Sequence, residues 1–349
     1  MGRSMSKKIL VTGGCGFVGS NLVPRLEKAG HWVRVLDSEA LGRREHLGTF
    51  EGEFQRGDIR DSDALDSALQ GIDAVIHLAA DTRVVDSIHD PLHNFDVNVV
   101  GSFRLLQAMR SRGVQRLINA STGGAIIGDV PPPVHEGLVP RPLAPYGASK
   151  MAVEGYLSAW SGSYGMRALS LRFANVYGPR SFHKGSVVAS FFKEILRGKP
   201  LIVYGDGSQV RDFVYVGDLC DGIIRSLDCD VSTVIQLGSG VPVSINHLID
   251  AIRIVVDPLP VTVEYRDARR GEIVETWCDI SRARGMLGFD PATPLHDGLR
   301  KTWAWFRRRN KRAVDRLLVA CGDVAPLSQW QLMDFERGEG SDLDTDLSF

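Results

Sequence analysis

Tyr146 and Lys150 are the two residues whose types and spacing most directly suggest chemistry. They stand in the sequence Tyr-Gly-Ala-Ser-Lys at the start of a long segment with helical periodicity. Residues i and i+4 share one face of a helix, so we expect the phenol and the ammonium to lie side by side. An ammonium beside a phenol lowers the phenol's pKa from its usual value of about 10. Such a pair is suited to moving a proton to and from a substrate hydroxyl near neutral pH.

A glycine loop near the N-terminus provides a second signal. The sequence VTGGCGFVG at 11–19 follows an apolar run and opens a helical segment, with the spacing G-x-x-G-x-x-G at Gly13, Gly16 and Gly19. Glycines allow a sharp turn and a close approach of the backbone to a pyrophosphate, and the N-terminus of the next helix offers free N–H groups. The pattern predicts a dinucleotide-binding loop.

Asp37 indicates which dinucleotide this loop would bind. It ends the next apolar run, about 20 residues beyond Gly16, where an acid hydrogen-bonds the adenosine ribose and repels a 2′-phosphate. The sequence therefore favours NAD over NADP. Arg43 and Arg44 follow a few residues later and could hold a 2′-phosphate, which leaves NADP as an alternative.

Strands and helices alternate through the first half of the chain. Apolar runs predict strands at 8–12, 32–36, 54–58, 74–79, 116–120 and 168–173, and helical spacing predicts helices at 17–29, 61–70, 95–112 and 147–164. Such alternation predicts an α/β fold with a doubly wound, Rossmann-type parallel sheet.

The second half is less regular and predicts a smaller, interleaved C-terminal substrate lobe. We expect an NAD-binding domain over 5–178 that also receives about 209–232, because 212–216 looks like a strand returning to the main sheet. The substrate lobe would cover 179–312 and a C-terminal extension 313–349, with an acidic tail predicted to be disordered. The basic and aromatic segment 300–316 could contact nucleic acid, but a terminal helix with a solvated basic face explains it better.

The overall composition excludes several classes of protein. The 349 residues carry 41 Lys+Arg and 42 Asp+Glu, a net charge of −1 that argues against nucleic acid or a membrane surface as partner. We see no signal peptide or membrane span, and five widely spaced cysteines predict reduced thiols and no metal site. The sequence therefore predicts a cytoplasmic protein.

Further motifs, taken with the glycine loop and the Tyr–Lys pair, carry a family resemblance over about residues 7–305. Together they resemble the extended short-chain dehydrogenase/reductase superfamily, in its NAD-dependent nucleotide-sugar epimerase/dehydratase branch. The motifs are Gly57-Asp58-Ile59-Arg60-Asp61, His77-Leu78-Ala79-Ala80, Asn98-Val99-Val100-Gly101, Ser121-Thr122, the segment RFANVYGPR at 172–180, RDFVYV at 211–216 and RRGE at 269–272.

The resemblance implies a role for each matching position. Thr122, Tyr146 and Lys150 would be catalytic, although Ser121 stays an alternative to Thr122. The nucleotide-diphosphate sugar substrate would contact Thr122, Asn175, Tyr204, Arg211 and Arg269. NAD would be held by Gly13, Gly16, Phe17, Val18, Asp37, Asp58, Ile59, Leu78, Ala79, Ala80, Asn98, Tyr146, Lys150 and Phe173.

The residues after Thr122 bear on the reaction. By the resemblance, dehydratases and decarboxylases carry acidic residues there, whereas this chain has Gly123, Gly124 and Ala125. The best-equipped reaction is therefore 4-epimerisation of a UDP-hexose or UDP-hexuronate through a transient 4-keto intermediate. A net NAD(P)-linked sugar-nucleotide reductase or dehydrogenase is the alternative, followed by a decarboxylase, a 4,6-dehydratase or a non-catalytic nucleotide-sensing regulator.

Two further expectations come from the same resemblance. Ile127 replaces a tyrosine that the family usually has, so a substrate-facing hydroxyl would be missing. The segments 95–112 and 147–164 match the helices that pair in a homodimer, and we expect Phe103 and Leu157 to be exposed apolar residues that need this cover.

Overall fold

A seven-stranded parallel sheet organises the computed structural model, which describes residues 6–268 and 273–320. The described strands are β1 (Lys8–Thr12), β2 (Trp32–Asp37), β3 (Glu53–Arg56), β4 (Ala74–His77), β5 (Arg116–Thr122), β6 (Arg167–Phe173), β7 (Asn175–Tyr177), β8 (Leu201–Tyr204), β9 (Val210–Tyr215), β10 (Thr233–Leu237), β11 (Pro242–Ser244) and β12 (Val263–Arg266). The order in the main sheet is β10-β6-β5-β4-β1-β2-β3. This arrangement confirms the predicted doubly wound parallel sheet.

Helices cover both faces of this sheet and build the second lobe. They are α1 (Phe17–Lys28), α2 (Ser62–Ala68), α3 (Val84–His89), α4 (Pro91–Phe95), α5 (Gly101–Ser111), α6 (Gly124–Ile127), α7 (Pro145–Tyr164), α8 (Val187–Leu196), α9 (Val216–Ser226), α10 (Ile245–Val256), α11 (Ser281–Leu287), α12 (Leu295–Arg309) and α13 (Lys311–Ala320). A 3-10 turn at Arg44–Leu47 and a π-helical turn at Asp96–Val100 interrupt the connections. The predicted helix 95–112 is therefore this π turn continued by α5.

Alternating side chains of β1 show why the sheet needs helices on both faces. Ile9 and Val11 pack into the core that α1 and α9 cover, whereas Leu10 packs into the opposite core under α2, α5 and α7. All three side chains are fully buried. A strand buried on both faces is apolar throughout, which is typical of parallel sheets.

The second lobe has its own sheets and its own core. Strands β7, β9 and β11 form one sheet, β8 and β12 form another, and helices α8, α10 and α12 pack against them. In α12, Trp303 and Phe306 are buried, and the basic residues Arg307, Arg308 and Arg309 are exposed. The structure thus agrees with the interpretation of this segment as a terminal helix with a solvated basic face.

Two expectations about the organisation need correction. The segment 212–216 does not return to the main sheet, because β9 pairs with β7 and β11; the strand that returns is β10, beside β6. Leu157 is not an exposed residue, since its side chain is buried in the chain's own core, and Phe103 is partly buried against Trp160. The predicted domain boundaries remain predictions, and the acidic tail lies outside the described residues.

No described helix is long and apolar enough to cross a membrane. The four cysteines in the described part of the chain, Cys15, Cys220, Cys229 and Cys278, are all free thiols.

Candidate active site

The carboxyl ends of four central strands bring the predicted site residues to one edge of the sheet. The glycine loop follows β1, Leu78, Ala79 and Ala80 follow β4, β5 ends at Thr122, and β6 ends at Phe173. These strands are parallel neighbours. Ligands of open parallel sheets bind outside this edge, so the fold places the residues where a cofactor would lie.

The glycine loop lies in backbone contact with the segment after β4. Gly13 has a φ of +71°, and a Cβ there would stand 2.6 Å from the Ala79 nitrogen and 2.9 Å from the Leu78 carbonyl carbon. Only glycine allows this approach. Gly16 precedes α1, whose N-terminus has neither a side-chain cap nor an acidic residue in its first turn. The open loop and the free N–H groups of the helix fit the pyrophosphate of a dinucleotide.

Phe17 and Val18 form the first turn of α1. Phe17 is buried and Val18 is partly buried, and both side chains pack into the sheet core. Their backbone N–H groups, rather than their side chains, are the parts that could reach a cofactor.

Asp37 joins the end of β2 to the glycine loop. Its Oδ2 accepts a hydrogen bond of 2.8 Å from the Cys15 N–H, and its Oδ1 accepts one of 2.8 Å from the Glu39 N–H. Burial raises the pKa of Asp37, and these two backbone hydrogen bonds oppose the rise. Each carboxylate oxygen keeps a further lone pair, so Asp37 can still accept hydrogen bonds from ribose hydroxyls. Arg44, the alternative partner for a 2′-phosphate, lies over the Phe54 ring at 5.5 Å.

Asp58 and Ile59 follow β3 at the same edge. Asp58 forms hydrogen bonds of 3.0 and 2.8 Å with the Arg60 guanidinium, which lower the pKa of this carboxyl. Ile59 is buried against Gly101, where a Cβ would stand 2.7 Å from Ile59 Cδ1. The resemblance assigns both residues to the NAD site, and they follow β3, which pairs with the strand that ends at Asp37.

Asn98, which the resemblance assigns to the cofactor, forms several hydrogen bonds within the protein, and its contact with NAD stays a prediction. Its Nδ2 donates to the Asp81 carbonyl oxygen at 2.9 Å and to Ser149 Oγ at 3.0 Å, and its Oδ1 accepts from the Asp81 N–H at 2.8 Å. The whole amide is therefore engaged within the protein. It fixes the segment that carries Ala80 against α7.

The side chains of Ser121 and Thr122 point to opposite faces of the sheet, because they are successive residues of β5. Ser121 Oγ donates a hydrogen bond of 2.7 Å to Glu154 Oε1, on the side away from the phenol. The Thr122 hydroxyl lies close enough to the Tyr146 phenol to lower its pKa through hydrogen bonding. Of the two candidate hydroxyls, Thr122 is the one that the structure brings to Tyr146.

The Tyr146 phenol does not have the lowered pKa expected from the sequence. Burial raises its pKa to about 12, the Thr122 hydrogen bond opposes the rise, and the Asp81 carboxylate adds to it. Lys150 Nζ donates a hydrogen bond of 3.0 Å to the Ala120 carbonyl oxygen. The spacing of the pair correctly predicted a common helix, but it could not reveal how strongly the fold desolvates the phenol.

Lys150 itself is a buried lysine with a perturbed pKa. Its side chain lies under the sheet edge, and burial lowers its pKa to about 8, while the Glu154 carboxylate opposes this lowering. At neutral pH the ammonium is retained, so Lys150 supplies a positive charge and hydrogen-bond donors beside Tyr146.

His77 belongs to a buried network that sequence analysis missed. Its Nδ1 is 2.7 Å from Thr12 Oγ1 and its Nε2 is 2.8 Å from Ser102 Oγ, which donates to the Asn98 carbonyl oxygen at 2.5 Å. Burial lowers the pKa of His77 to about 3, so the ring is neutral. The sequence feature that could have revealed this network is a histidine at the end of an apolar strand. Sequence analysis used this histidine only as part of a family motif.

Three of the candidate substrate residues lie in the second lobe, and two of them, Asn175 and Arg211, are on the neighbouring strands β7 and β9. Asn175 is exposed at the start of β7, and Arg211 lies on β9, where its Nη1 donates to the Val210 and Val274 carbonyl oxygens at 2.8 and 3.2 Å. Tyr204 ends β8 and is partly buried. Arg269 lies outside the described residues.

The first two residues after Thr122 lie close to side chains from other segments of the chain. A Cβ at Gly123 would stand 2.7 Å from Gln236 Oε1, and one at Gly124 would stand 3.3 Å from Thr276 Oγ1. Ile127 is fully buried in a small cluster with Val134. The absence of a substrate-facing hydroxyl at this position stays a prediction, and the Ile127 side chain contributes to the packing of this cluster.

Comparisons with known proteins agree with this geometry. The model of the NAD dependent epimerase/dehydratase family matches residues 9–238. A UDP-glucose 4-epimerase of Mycolicibacterium smegmatis is 37% identical over 87% of this chain and 100% of its own length. The chain also resembles the solved Thermotoga maritima UDP-glucose 4-epimerase with UDP-glucose, with a TM-score of 0.83, 34% identity, and coverage of 86% of this chain and 99% of that one.

A further solved relative contains both kinds of ligand. The Bacillus cereus UDP-glucuronic acid 4-epimerase, in complex with UDP-glucuronic acid and NAD, has a TM-score of 0.80 and 30% identity, with coverage of 86% of this chain and 99% of that one.

Proposed function

Because this chain belongs to the NAD dependent epimerase/dehydratase family, we propose that it is an NAD-dependent nucleotide-sugar 4-epimerase acting on a UDP-hexose or UDP-hexuronate. The family is NAD-dependent, and the relatives named above are 4-epimerases of UDP-glucose or UDP-glucuronic acid. The glycine loop and Asp37 of this chain fit the same cofactor.

One observation carries the choice of reaction. The fold brings the Thr122 hydroxyl to the Tyr146 phenol at the carboxyl edge of the sheet, close enough to act on its pKa, while the next three positions are Gly123, Gly124 and Ala125. A phenol that moves a proton serves oxidation of a sugar hydroxyl and its reversal. Elimination or decarboxylation would call for further acid/base groups, and these three residues have no ionisable side chain.

In the proposed mechanism Tyr146 takes the proton of the sugar's 4-hydroxyl and later returns a proton to the 4-keto oxygen. Thr122 orients that oxygen, and Lys150 stabilises the phenolate by its charge. Bound NAD supplies the hydride acceptor and donor, together with a positive charge that favours the phenolate. Rotation of the keto sugar between the two transfers presents its other face and inverts carbon 4.

The nucleotide part of the substrate is assigned to the second lobe. Asn175, Tyr204, Arg211 and Arg269 would hold the UDP portion, because guanidinium groups form strong charge-assisted hydrogen bonds with a diphosphate. Anchoring this remote end keeps the sugar within reach of Tyr146. The cofactor would lie along the glycine loop, Asp37 and the segment 78–80.

The test combines a variant with a labelled substrate. Tyr146→Phe should abolish epimerisation of UDP-glucose and UDP-glucuronate while both ligands still bind, because it removes a proton carrier and little contact area. Tyr164→Phe, at an exposed site on the same helix, is the matched control and should retain activity. Substrate deuterated at carbon 4 should give an epimer that retains the label without added cofactor.

Other products would contradict the proposal. Accumulation of NADH in stoichiometric amounts would identify a net dehydrogenase. Release of carbon dioxide would identify a decarboxylase, and formation of a 4-keto-6-deoxy sugar would identify a dehydratase.

We also propose that the enzyme is a cytoplasmic homodimer. The free described cysteines support a reducing compartment. Exposed apolar side chains on and near α7, namely Phe95, Met151, Tyr156 and Tyr164, support a self-complementary contact through the helices expected to pair.

A further inference from the structure

Helix α7 starts without a side-chain cap of its own. Its first residue, Pro145, has no N–H, and the preceding residue, Ala144, has no side-chain oxygen to accept a hydrogen bond. The Tyr146 N–H is therefore the first amide of the helix, and the first amides of a helix have no acceptor within it. This donor needs an acceptor from another part of the chain.

Ser87 of α3 provides that acceptor. Its Oγ accepts a hydrogen bond of 3.1 Å from the Tyr146 N–H and donates one of 2.6 Å to the Val84 carbonyl oxygen. The residue is fully buried and stands 59 residues before Tyr146 in the sequence. Because its own proton is used within α3, the hydroxyl presents a lone pair to the Tyr146 N–H and joins the two helices.

A second serine holds the other peptide group of Tyr146. Ser149 Oγ donates a hydrogen bond of 2.8 Å to the Tyr146 carbonyl oxygen and accepts one of 3.0 Å from Asn98 Nδ2. The same Asn98 amide is bonded to the N–H and to the carbonyl oxygen of Asp81, shortly before α3. The backbone of Tyr146 is thus tied at both ends to the segment that runs from Asp81 into α3.

The start of α7 also packs against the segment that follows Thr122. A Cβ at Gly147 would collide with the Ala125 carbonyl oxygen, so glycine is needed for this close approach of the two backbones. Further along α7, Lys150 Nζ donates a hydrogen bond of 3.0 Å to the Ala120 carbonyl oxygen of β5. The position of the helix start is therefore set by α3 and by the segment after Thr122.

We propose that Ser87 is a positioning residue for the reaction, because its hydrogen bond fixes the backbone of Tyr146 and with it the alignment of the phenol with Thr122. This inference rests on the proposed function. Ser87 acts through Tyr146, since both of its hydroxyl contacts are with backbone groups. A displacement of about 1 Å in a reacting group can cost about a hundredfold in rate, so a lost tether should be visible in turnover.

A purely structural role for Ser87 predicts a different outcome. If the hydroxyl only satisfied a buried N–H, any other acceptor for the Tyr146 N–H would replace it. Ala144→Ser places a hydroxyl directly before the helix, where a side-chain oxygen accepts from the N–H of the second or third helical residue. Such an acceptor makes no tether to α3, so the double variant Ser87→Ala/Ala144→Ser separates the two roles.

The experiment measures kcat and KM for UDP-glucose and UDP-glucuronate, the affinity of NAD, and the free energy of unfolding in denaturant titrations. Ser87→Ala should lower kcat by about ten- to a hundredfold, while KM and NAD affinity change less than about threefold, because the ligand contacts remain. Its free energy of unfolding should also fall, since the Tyr146 N–H loses its acceptor. The double variant should regain stability but not kcat.

Ser226→Ala is the matched control. Ser226 is also fully buried, and its Oγ donates a hydrogen bond of 2.6 Å to the carbonyl oxygen of Ile223, three residues earlier, as Ser87 Oγ does within α3. It ends α9, which packs into the core on the other face of the main sheet from α7. Ser226→Ala should therefore lower the free energy of unfolding and leave kcat unchanged.

Recovery of kcat together with stability in the double variant would show that Ser87 serves only the fold and would overturn the proposal. An unchanged kcat in Ser87→Ala would overturn it as well, and so would a loss confined to KM or to NAD affinity. If Ser87→Ala does not fold, the double variant decides by the same comparison. A double variant that does not fold either would assign Ser87 to folding and overturn the positioning role.

Failure of the proposed function gives a different result. A wild type that only oxidises a UDP-sugar, with accumulation of NADH, refutes epimerisation. A fall of that oxidation rate in Ser87→Ala, but not in Ser226→Ala, would still support the positioning role. A wild type that transfers no hydride from either UDP-sugar refutes both.

Discussion

Glu154 accepts two hydrogen bonds from Arg172, with Oε1 3.0 Å from Nε and Oε2 2.7 Å from Nη2. Both side chains are almost inaccessible, with exposures of 9% and 4%. Glu154 stands one helical turn after Lys150, and its charge opposes the lowering of the Lys150 pKa by burial. The ion pair thus supports the ammonium beside Tyr146 as well as joining α7 to β6.

We expect wild-type activity to fall as the pH rises above about 8, because the Lys150 pKa is lowered to about 8 and the ammonium is then lost. Glu154→Gln removes the charge that opposes this lowering, so the alkaline limb should move to lower pH. The pH profile of kcat/KM measures both effects. Glu194→Gln, which alters the ion pair of Glu194 with Arg197, serves as control. An alkaline limb that stays in place in Glu154→Gln would contradict the role of this carboxylate.

The lowered pKa of Lys150 also affects the stability of the folded protein. Folding lowers the Lys150 pKa from 10.5 to about 8, so between these pH values the unfolded chain binds more protons at this residue. The contribution of Lys150 to the free energy of unfolding should therefore rise with pH in that window. Lys150→Met should flatten this part of the profile in denaturant titrations at pH 8 to 10.5.

Asp37→Asn should weaken NAD binding by about tenfold or more and raise the affinity of NADP relative to NAD, because it removes the charge that repels a 2′-phosphate. Titration of both cofactors measures the ratio. Asp73→Asn is the control, since Asp73 accepts the Lys8 N–H at 2.7 Å at the opposite end of the same sheet. Tighter binding of NADP than NAD by the wild type would refute the assignment.

Arg211→Ala and Arg269→Ala should each reduce the affinity for UDP-sugars by about ten- to a hundredfold, because each removes charge-assisted hydrogen bonds to the diphosphate. Calorimetry with UDP-glucose and with NAD would separate the two ligands, and NAD binding should remain intact. Arg253→Ala provides a comparison, since Arg253 forms an exposed ion pair on α10. If neither site variant loses UDP-sugar affinity, the diphosphate is held elsewhere.

The proposed homodimer predicts a doubled mass at micromolar concentration in sedimentation or light scattering. Tyr156→Glu should give monomers, because it places a charge among the exposed apolar side chains of α7, whose aromatic rings run from Tyr156 through Trp160 to Tyr164. Ile254→Glu alters a more exposed apolar site on α10 and should leave the assembly unchanged. A monomeric wild type would exclude the interface.

Local patterns predicted the cofactor edge well, because the information needed is contiguous in the chain. The glycine loop lies between a strand and a helix, and Asp37 ends the next strand, so short-range spacing placed them together. The segment 212–216 was assigned to the wrong sheet because its apolar composition suits either sheet. Its true partners, β7 and β11, are selected by long-range packing that no local window contains.

Properties set by three-dimensional surroundings were beyond sequence analysis. The raised pKa of Tyr146 depends on burial, and the engagement of Asn98 depends on where Asp81 and Ser149 meet. The choice between Ser121 and Thr122 likewise required knowing which face of β5 meets the phenol.

The hydrogen bonds of the network around His77 all run in one donor-to-acceptor direction. Ser102 donates its only hydroxyl proton to the Asn98 carbonyl oxygen, so His77 Nε2 must carry hydrogen and donate to Ser102 Oγ. His77 Nδ1 therefore accepts the Thr12 hydroxyl proton, which leaves Thr12 Oγ1 to accept from the Ala79 N–H at 3.4 Å. The chain begins at a peptide N–H and ends at a peptide carbonyl, neither of which exchanges protons during turnover. Because every hydrogen bond in this chain points the same way and both ends are peptide groups, the network holds β1, β4 and the helix that carries Ser102 together without relaying a proton.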